Sequence, residues 1–181
     1  MIERVASLAF VESWTFTLFV LTIRSATDSD RDAIWEIFKQ VIAAGETYPL
    51  EANISRDQAQ AYWFQRDAHV FIAEKKGEII GSYTLHPNQS GGGAHVANAA
   101  FIVAKSGRGQ GTGRAMGEHC LAEARRLGFR AMQFNFVVSS NESAVKLWRD
   151  LGMKVVGTLP GAFRHPTRGF VDVYVMFQAL V

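Results

Sequence analysis

Residues 103–114 read VAKSGRGQGTGR, with glycine at 107, 109, 111 and 113 and arginine at 108 and 114. An apolar run precedes this stretch and a segment of helical pattern follows it. Strand, glycine turn and helix start are the parts of an anion site. The first turn of a helix carries N–H groups without partners and a partial positive charge. Glycine brings that backbone within hydrogen-bond reach of a phosphate, with no Cβ in the way. Arg108 and Arg114 add charge at the rim. Four glycines at a helix start also cost helix propensity that a plain turn does not require. The run lacks the Gly-Lys-Ser/Thr ending of a P-loop, and no three of its glycines have the G-x-G-x-x-G spacing of a dinucleotide fingerprint.

Two amides interrupt apolar strands. In HVANAAFIV (95–103), alternation sets His95, Ala97, Ala99 and Phe101 on one face and Val96, Asn98, Ala100 and Ile102 on the other. An unpaired amide on an apolar face costs a few kcal/mol, so Asn98 needs a partner: substrate, water or a neighbouring loop. Asn135, between Phe134 and Phe136, poses the same question on a later strand. If the two strands pair, both amides face one cleft and can orient one small polar molecule. His86 and His95 flank the glycines at 91–93, and His165 lies in GAFRHPTRGF. Each is a base by type, and each is equally a packed or surface residue. Arg164 and Arg168 either attract an acceptor's carboxylate or are solvated loop charges. The single cysteine, Cys120, falls among Met116, Leu121 and Ala124 in a helical pattern and reads as a small buried filler. No C-x-x-C or other metal-ligand spacing occurs, no internal disulfide is possible, and a reducing, cytoplasmic setting is expected with no metal.

These residues need a scaffold. The 181 residues suffice for one domain with a sizeable core. A net charge of +2 gives no electrostatic case for nucleic acid or an anionic membrane surface. Residues 1–20, MIERVASLAFVESWTFTLFV, are interrupted by Glu12 and followed by no Ala-x-Ala site, so they fit neither a signal peptide nor a membrane span. They are expected to be an extension packed on the domain, or an upstream start outside the fold, with residues 21–181 as the domain itself. Apolar periodicity gives strands at 21–27, in HVFIAEKKGEIIGSYTLHP (a hairpin), at 95–104, at 130–138, in KVVGTLP and in VDVYVMFQA. Helices are expected from 28, from Ser55 with its capping-box Gln58, after the glycine turn as far as Gly128, and from Asn141 to Gly152. The order β-α-α-β-β-β-α-β-α-β-β is that of an α+β domain with a mixed, mostly antiparallel sheet and helices on its faces.

Arg108-Gly109-Gln110-Gly111-Thr112-Gly113 matches the R/Q-x-x-G-x-G/A signature of the GCN5-related N-acetyltransferases, which this sequence resembles. NESAVKLWRDLGM (141–153) is similar to that family's N-x-x-A-x-x-L-Y-x-x-x-G-F segment. The resemblance covers about residues 21–179, including the order of elements. It is nearest to the fungal enzymes that detoxify azetidine-2-carboxylate, a proline analogue, which carry asparagines at the positions of Asn98, Asn135 and Asn141. The bacterial phosphinothricin and methionine-sulfoximine acetyltransferases are a looser match.

The resemblance implies acetyl-coenzyme A as donor. Its pyrophosphate would lie against Arg108, Gly109, Gln110, Gly111, Thr112, Gly113 and Arg114. Its pantetheine would lie in a gap where the fourth and fifth strands part, beside the backbone of Phe101, Ile102 and Val103. Asn141 would contact the pantetheine arm, or serve only as an N-cap. Trp148 stands where many relatives have an acid tyrosine, and indole cannot act as an acid at neutral pH. Asn98 stands near the glutamate base of many relatives; with Asn135 it is expected to position an ordered water that takes the acceptor's proton. Tyr48, in GETYPLE, is expected to line the acceptor pocket. The implied reaction is direct attack by a small-molecule amine, an amino acid or toxic analogue, in a ternary complex. Acetylation of a protein or peptide, and acyl-coenzyme A binding without catalysis, are the alternatives. A homodimer through FRHPTRGF and the last strands is implied by analogy alone.

Overall fold

The computed structural model describes residues 21–181, and the reading of residues 1–20 concerns a segment outside the described residues. The elements are β1 (Thr22–Ser25), α1 (Arg31–Ala44), α2 (Arg56–Trp63), β2 (His69–Lys75), β3 (Glu78–Pro87), β4 (Val96–Val103), α3 (Thr112–Arg126), β5 (Ala131–Val138), α4 (Glu142–Asp150), β6 (Lys154–His165) and β7 (Gly169–Ala179). Local chemistry sets most of the boundaries. Ser55 and Gln58 close a reciprocal capping box at the start of α2. Gly45, in the left-handed region at φ 66°, ends α1. Lys76 and Gly77, both at positive φ, turn β2 into β3.

The seven strands form one sheet in the order β1-β2-β3-β4-β5-β7-β6. All pairs are antiparallel except β4 with β5. Strand alternation sends two sets of side chains to opposite faces. Tyr83, Leu85, Ala97, Ala99 and Phe134 pack with Met116, Cys120 and Trp148 of α3 and α4. Ile72 and Ile102 pack with Ile34, Phe38 and Trp63 of α1 and α2. The α3–α4 contact is close because Gly117 has no side chain: a Cβ there would meet Leu151 Cδ1 at 2.5 Å and Trp148 Cζ3 at 3.1 Å.

The β4–β5 pair holds the feature on which function depends. It is registered only at Val96↔Ala131 and Ala97↔Met132. β4 then continues along β3 as far as Val103, while β5 follows β7 with a bulge between Phe134 and Val137. Trp148 packs on the α3–α4 face of the sheet where the strands diverge, its ring centroid 4.7 Å from Phe101 and 4.9 Å from Phe134. Beyond Ala97 and Met132 the two strands no longer share a ladder, and the sheet opens into a cleft.

The last hairpin is longer than the sequence suggests. The sequence ends this strand at Pro160, yet β6 runs on through Gly161 to His165. A bulge between Leu159 and Phe163 absorbs the irregular residues, and the Gly161 N–H is held by Asp172 Oδ1 at 2.9 Å. GAFRHPTRGF is therefore mostly paired strand, with only Pro166, Thr167 and Arg168 left as turn.

Candidate active site

The glycine turn between β4 and α3 is built for close approach. Gly107 is buried, and a Cβ there would stand 2.8 Å from Ile80 O, so this glycine serves the fold. Gly109 and Gly111 differ: both have positive φ (71° and 80°), and nothing lies within 4 Å of the place a Cβ would take. They leave open space over the helix start. The Thr112 hydroxyl donates to Gly107 O at 2.9 Å and ties the turn down. The first main-chain bond of α3 is Ala115 N–H to Gly111 O. Ahead of it, the six N–H groups of Gly109 through Arg114 have no acceptor among the described residues. No acidic residue sits in the first turn of α3 to offset its positive end. Six free donors at a helix N-terminus under bare space form a cradle for a diphosphate.

The cradle opens into a cleft of about 890 Å³, which runs past the β4 edge and α4 to the α1–α2 loop and the β6–β7 turn. Ala104 N–H bonds to Ile80 O across the β3–β4 ladder. Antiparallel partners alternate between bonded and non-bonded pairs. Ile102 is therefore turned toward β3, and the main-chain groups of Phe101 and Val103 face the cleft. The Tyr48 hydroxyl donates to Phe101 O at 2.8 Å, which independently places that carbonyl on the cleft side. The Phe101 N–H, Val103 N–H and Val103 C=O remain for a ligand laid alongside as an added strand. Burial pushes the Tyr48 phenol well above its ordinary range, so it is a neutral donor rather than an acid or base.

At the far end the α1–α2 loop meets the β6–β7 turn, with Gly45 against Pro166. Glu46, Thr47, His165, Thr167 and Arg168 line this end, and Ser140 lines the same cleft from the β5–α4 loop. The hydroxyls of Thr47 and Ser140 are buried with no hydrogen-bond partner among the described residues.

A cradle for a diphosphate, an open strand edge beside it and a cleft that continues beyond both suit a coenzyme A thioester with a second substrate beyond it. The description "Acetyltransferase (GNAT) family" matches residues 31–153. The chain belongs to that family. Its GNAT relatives include the N-acetyltransferase aca1 of Schizosaccharomyces pombe, 28% identical over 74% of this chain and 72% of that protein. The L-methionine sulfoximine/L-methionine sulfone acetyltransferase of Salmonella typhimurium is 25% identical over 77% of this chain and 84% of its own. A GCN5-related N-acetyltransferase from Kribbella flavida superposes with a TM-score of 0.85 at 43% identity, covering 88% of this chain and 97% of that one. Other structures of this fold have been solved with acetyl-coenzyme A. The protein is a GNAT N-acetyltransferase with acetyl-coenzyme A as acyl donor.

Most of the residues expected at the donor site lie along the GNAT cleft: Phe101, Ile102, Val103, Arg108, Gly109, Gly111, Thr112, Gly113, Arg114, Asn141 and Trp148. Two of them, and Gln110, differ in detail from the expectation. The main chain of Ile102 belongs to the β3 ladder, and its side chain is buried in the α1–α2 core. Arg114 is drawn to Asp150 at 2.9 Å. The Gln110 side chain turns away from the cleft, bonded to Ser106 O and to Lys75 at 2.6 Å. Arg108, by contrast, makes no ion pair among the described residues. Asn141 caps α4, with its Oδ1 accepting from Ala144 N–H at 3.2 Å, which leaves its amide N–H₂ for a ligand. Trp148 is a packed residue that also lines the cleft.

Tyr48 lines the cleft beside Phe101. Asn98 and Asn135 converge, but on a loop residue: each donates its amide to Asn88 Oδ1, at 3.1 and 2.6 Å. Neither is among the residues lining the cleft. Asn135 also accepts from Gln133 at 2.8 Å. Asn98 Oδ1 and Asn88 Nδ2 are left without a partner among the described residues. Sequence reasoning missed Asn88, Glu46, Thr47, Ser140 and Thr167, because single polar residues in loops carry no local signal. His86 and His95 do not line the cleft, and Cys120 is buried.

Proposed function

We propose that this GNAT enzyme acetylates the amine of a small molecule, an amino acid or a toxic analogue of one, by direct attack within a ternary complex. The observation that carries this reading is a cleft continuous from the six-donor cradle, past the open β4 edge, to the α1–α2 loop and the β6–β7 turn. Acetyl-coenzyme A supplies an activated acyl group as a thioester. The Phe101 N–H, beside a carbonyl held by Tyr48, supports the developing negative charge on the thioester oxygen. The amine nitrogen bonds to the carbonyl carbon, the C–S bond breaks, and the amine's proton passes to water. Trp148 excludes solvent from the thiol and cannot supply its proton, so water does so.

We assign the cluster of Asn88, Asn98 and Asn135 to holding the acceptor side where β4 and β5 part, with Asn98 Oδ1 and Asn88 Nδ2 as the groups left for a water. The meeting of the α1–α2 loop with the β6–β7 turn, which narrows the acceptor end, supports a small acceptor, as does likeness to an amino-acid-analogue acetyltransferase. A homodimer through the last hairpin is supported by the exposed apolar side chains of Val156, Leu159 and Phe170, and sedimentation tests it. Among the described residues no helix is long and apolar enough to cross a membrane. We place residues 21–181 as the catalytic domain and the enzyme in the cytoplasm, the compartment its single free thiol suits.

The deciding experiment is thiol release from acetyl-coenzyme A over amino acids, their cyclic analogues, polyamines and peptides. Turnover confined to peptides would favour a protein acetyltransferase. Coenzyme binding with no thiol release for any amine would favour a non-catalytic binder.

A further inference from the structure

The floor of the glycine turn is fastened by the fold: Ala104 N–H bonds to Ile80 O, and the Thr112 hydroxyl to Gly107 O. Its crest is not. Gly109 and Gln110 make no backbone–backbone hydrogen bond among the described residues, and Gly109 and Gly111 stand at positive φ on either side of Gln110. Two flanking glycines give this segment wide conformational freedom, and ordering it costs entropy at each residue. The Gln110 side chain supplies the missing anchor. Its Oε1 accepts from Lys75 Nζ at 2.6 Å, and its amide nitrogen donates to Ser106 O. The Ser106 hydroxyl in turn donates to Glu78 Oε1 at 3.0 Å. Lys75 and Glu78 are cross-strand partners on either side of the Lys76–Gly77 turn. The tip of the β2–β3 hairpin therefore holds the glycine turn at two points, Gln110 and Ser106.

From this chain of contacts we propose that the hairpin tip is a clamp, in which Lys75, acting through Gln110, is a positioning residue that presets the six free N–H groups for the diphosphate of the coenzyme. This rests on the diphosphate cradle and adds what holds the cradle in shape. A loop ordered before its ligand arrives loses less conformational freedom on binding, and the difference appears as affinity. Gln110 thus serves the coenzyme by turning its side chain away from the cleft. Lys75 also carries a positive charge toward the cradle, and that charge alone would attract a diphosphate through space, with no clamp involved. The two roles separate in a double-mutant cycle, because only the clamp acts through the Gln110 side chain.

The test is calorimetric binding of acetyl-coenzyme A to the wild type, Lys75→Met, Gln110→Ala and the double variant. Each single substitution is expected to raise the dissociation constant about 2- to 10-fold, the range that corresponds to one net hydrogen bond. The double variant is expected to match Gln110→Ala, since Lys75 has nothing left to act through once the amide is gone. Lys75→Arg, which keeps a donor at the same place, should recover most of the affinity lost in Lys75→Met. Wild-type affinity in either single variant would overturn the clamp. So would a Lys75→Met penalty that persists in full on the Gln110→Ala background, which would leave Lys75 as a through-space charge. Both of those results would leave the cradle standing. A wild-type protein with no measurable affinity for acetyl-coenzyme A would instead refute the cradle and the clamp with it.

Discussion

Gly111→Ala separates the two demands that the cradle places on its glycines. Gly111 sits at φ 80°, and its missing Cβ points into open space. Left-handed backbone costs an alanine roughly 1–2 kcal/mol, and the stiffer unfolded chain returns about 0.4–1 kcal/mol of that. Net destabilisation should be at most about 1.6 kcal/mol. At roughly 2–4 °C per kcal/mol for a domain of this size, the melting temperature of the free protein should fall by a few degrees. The methyl group also intrudes over the six free N–H groups, and loss of one charge-assisted hydrogen bond should raise the dissociation constant for acetyl-coenzyme A by about 10- to 100-fold. With coenzyme at about 100 times the wild-type constant, the wild-type protein gains about 2.7 kcal/mol. The variant should gain only about 0.4–1.4 kcal/mol under the same conditions. Thermal melts with and without coenzyme read both effects. Gly128→Ala is the control: φ 85°, equally open, but at the opposite end of α3. It should show the strain without the coenzyme effect. A Gly111→Ala protein stabilised by coenzyme as much as the wild type would refute the diphosphate cradle.

Tyr48→Phe leaves Phe101 O without its donor; urea unfolding should show a loss of about 0.5–1.5 kcal/mol, and an unchanged midpoint would mean that the bond is not formed in solution. Asn88→Ala removes the acceptor shared by Asn98 and Asn135. It should lower turnover at least as much as Asn98→Ala or Asn135→Ala, with coenzyme affinity nearly intact in all three. Wild-type turnover in Asn88→Ala would reject the role assigned to the amide cluster. His119, whose Nδ1 lies 2.6 Å from the Tyr83 hydroxyl, has its pKa lowered by burial, against an opposing pull from Glu123. The unfolded chain therefore takes up this proton first as the pH falls below about 6.5. Stability should be full above that pH and decline with acid until the folded form is also protonated. His119→Gln should flatten the slope between about pH 7 and 5 in urea titrations, and an unaltered slope would discard the assignment.

Sequence alone determined the elements whose signals are local. The capping box at Ser55, the Lys76–Gly77 turn, the helix after the glycine run and the Asn141 cap each depend on residues a few positions apart, where side-chain and backbone preferences act directly. The anion site was legible for the same reason, since its donors are consecutive main-chain groups and its specificity lies in what glycine lacks. Only the tertiary structure decided which side of β4 each main-chain group faces, because that depends on pairing with β3 far away in sequence. It also decided that Asn98 and Asn135 meet through Asn88, and that β6 continues past Pro160 on the strength of its register with β7. The far end of the cleft lies furthest from any local signal. Thr47, Ser140 and Arg168 come from three separate connections and His165 from the end of β6, and they line one cleft only because the sheet order carries the last hairpin back against the loop after α1.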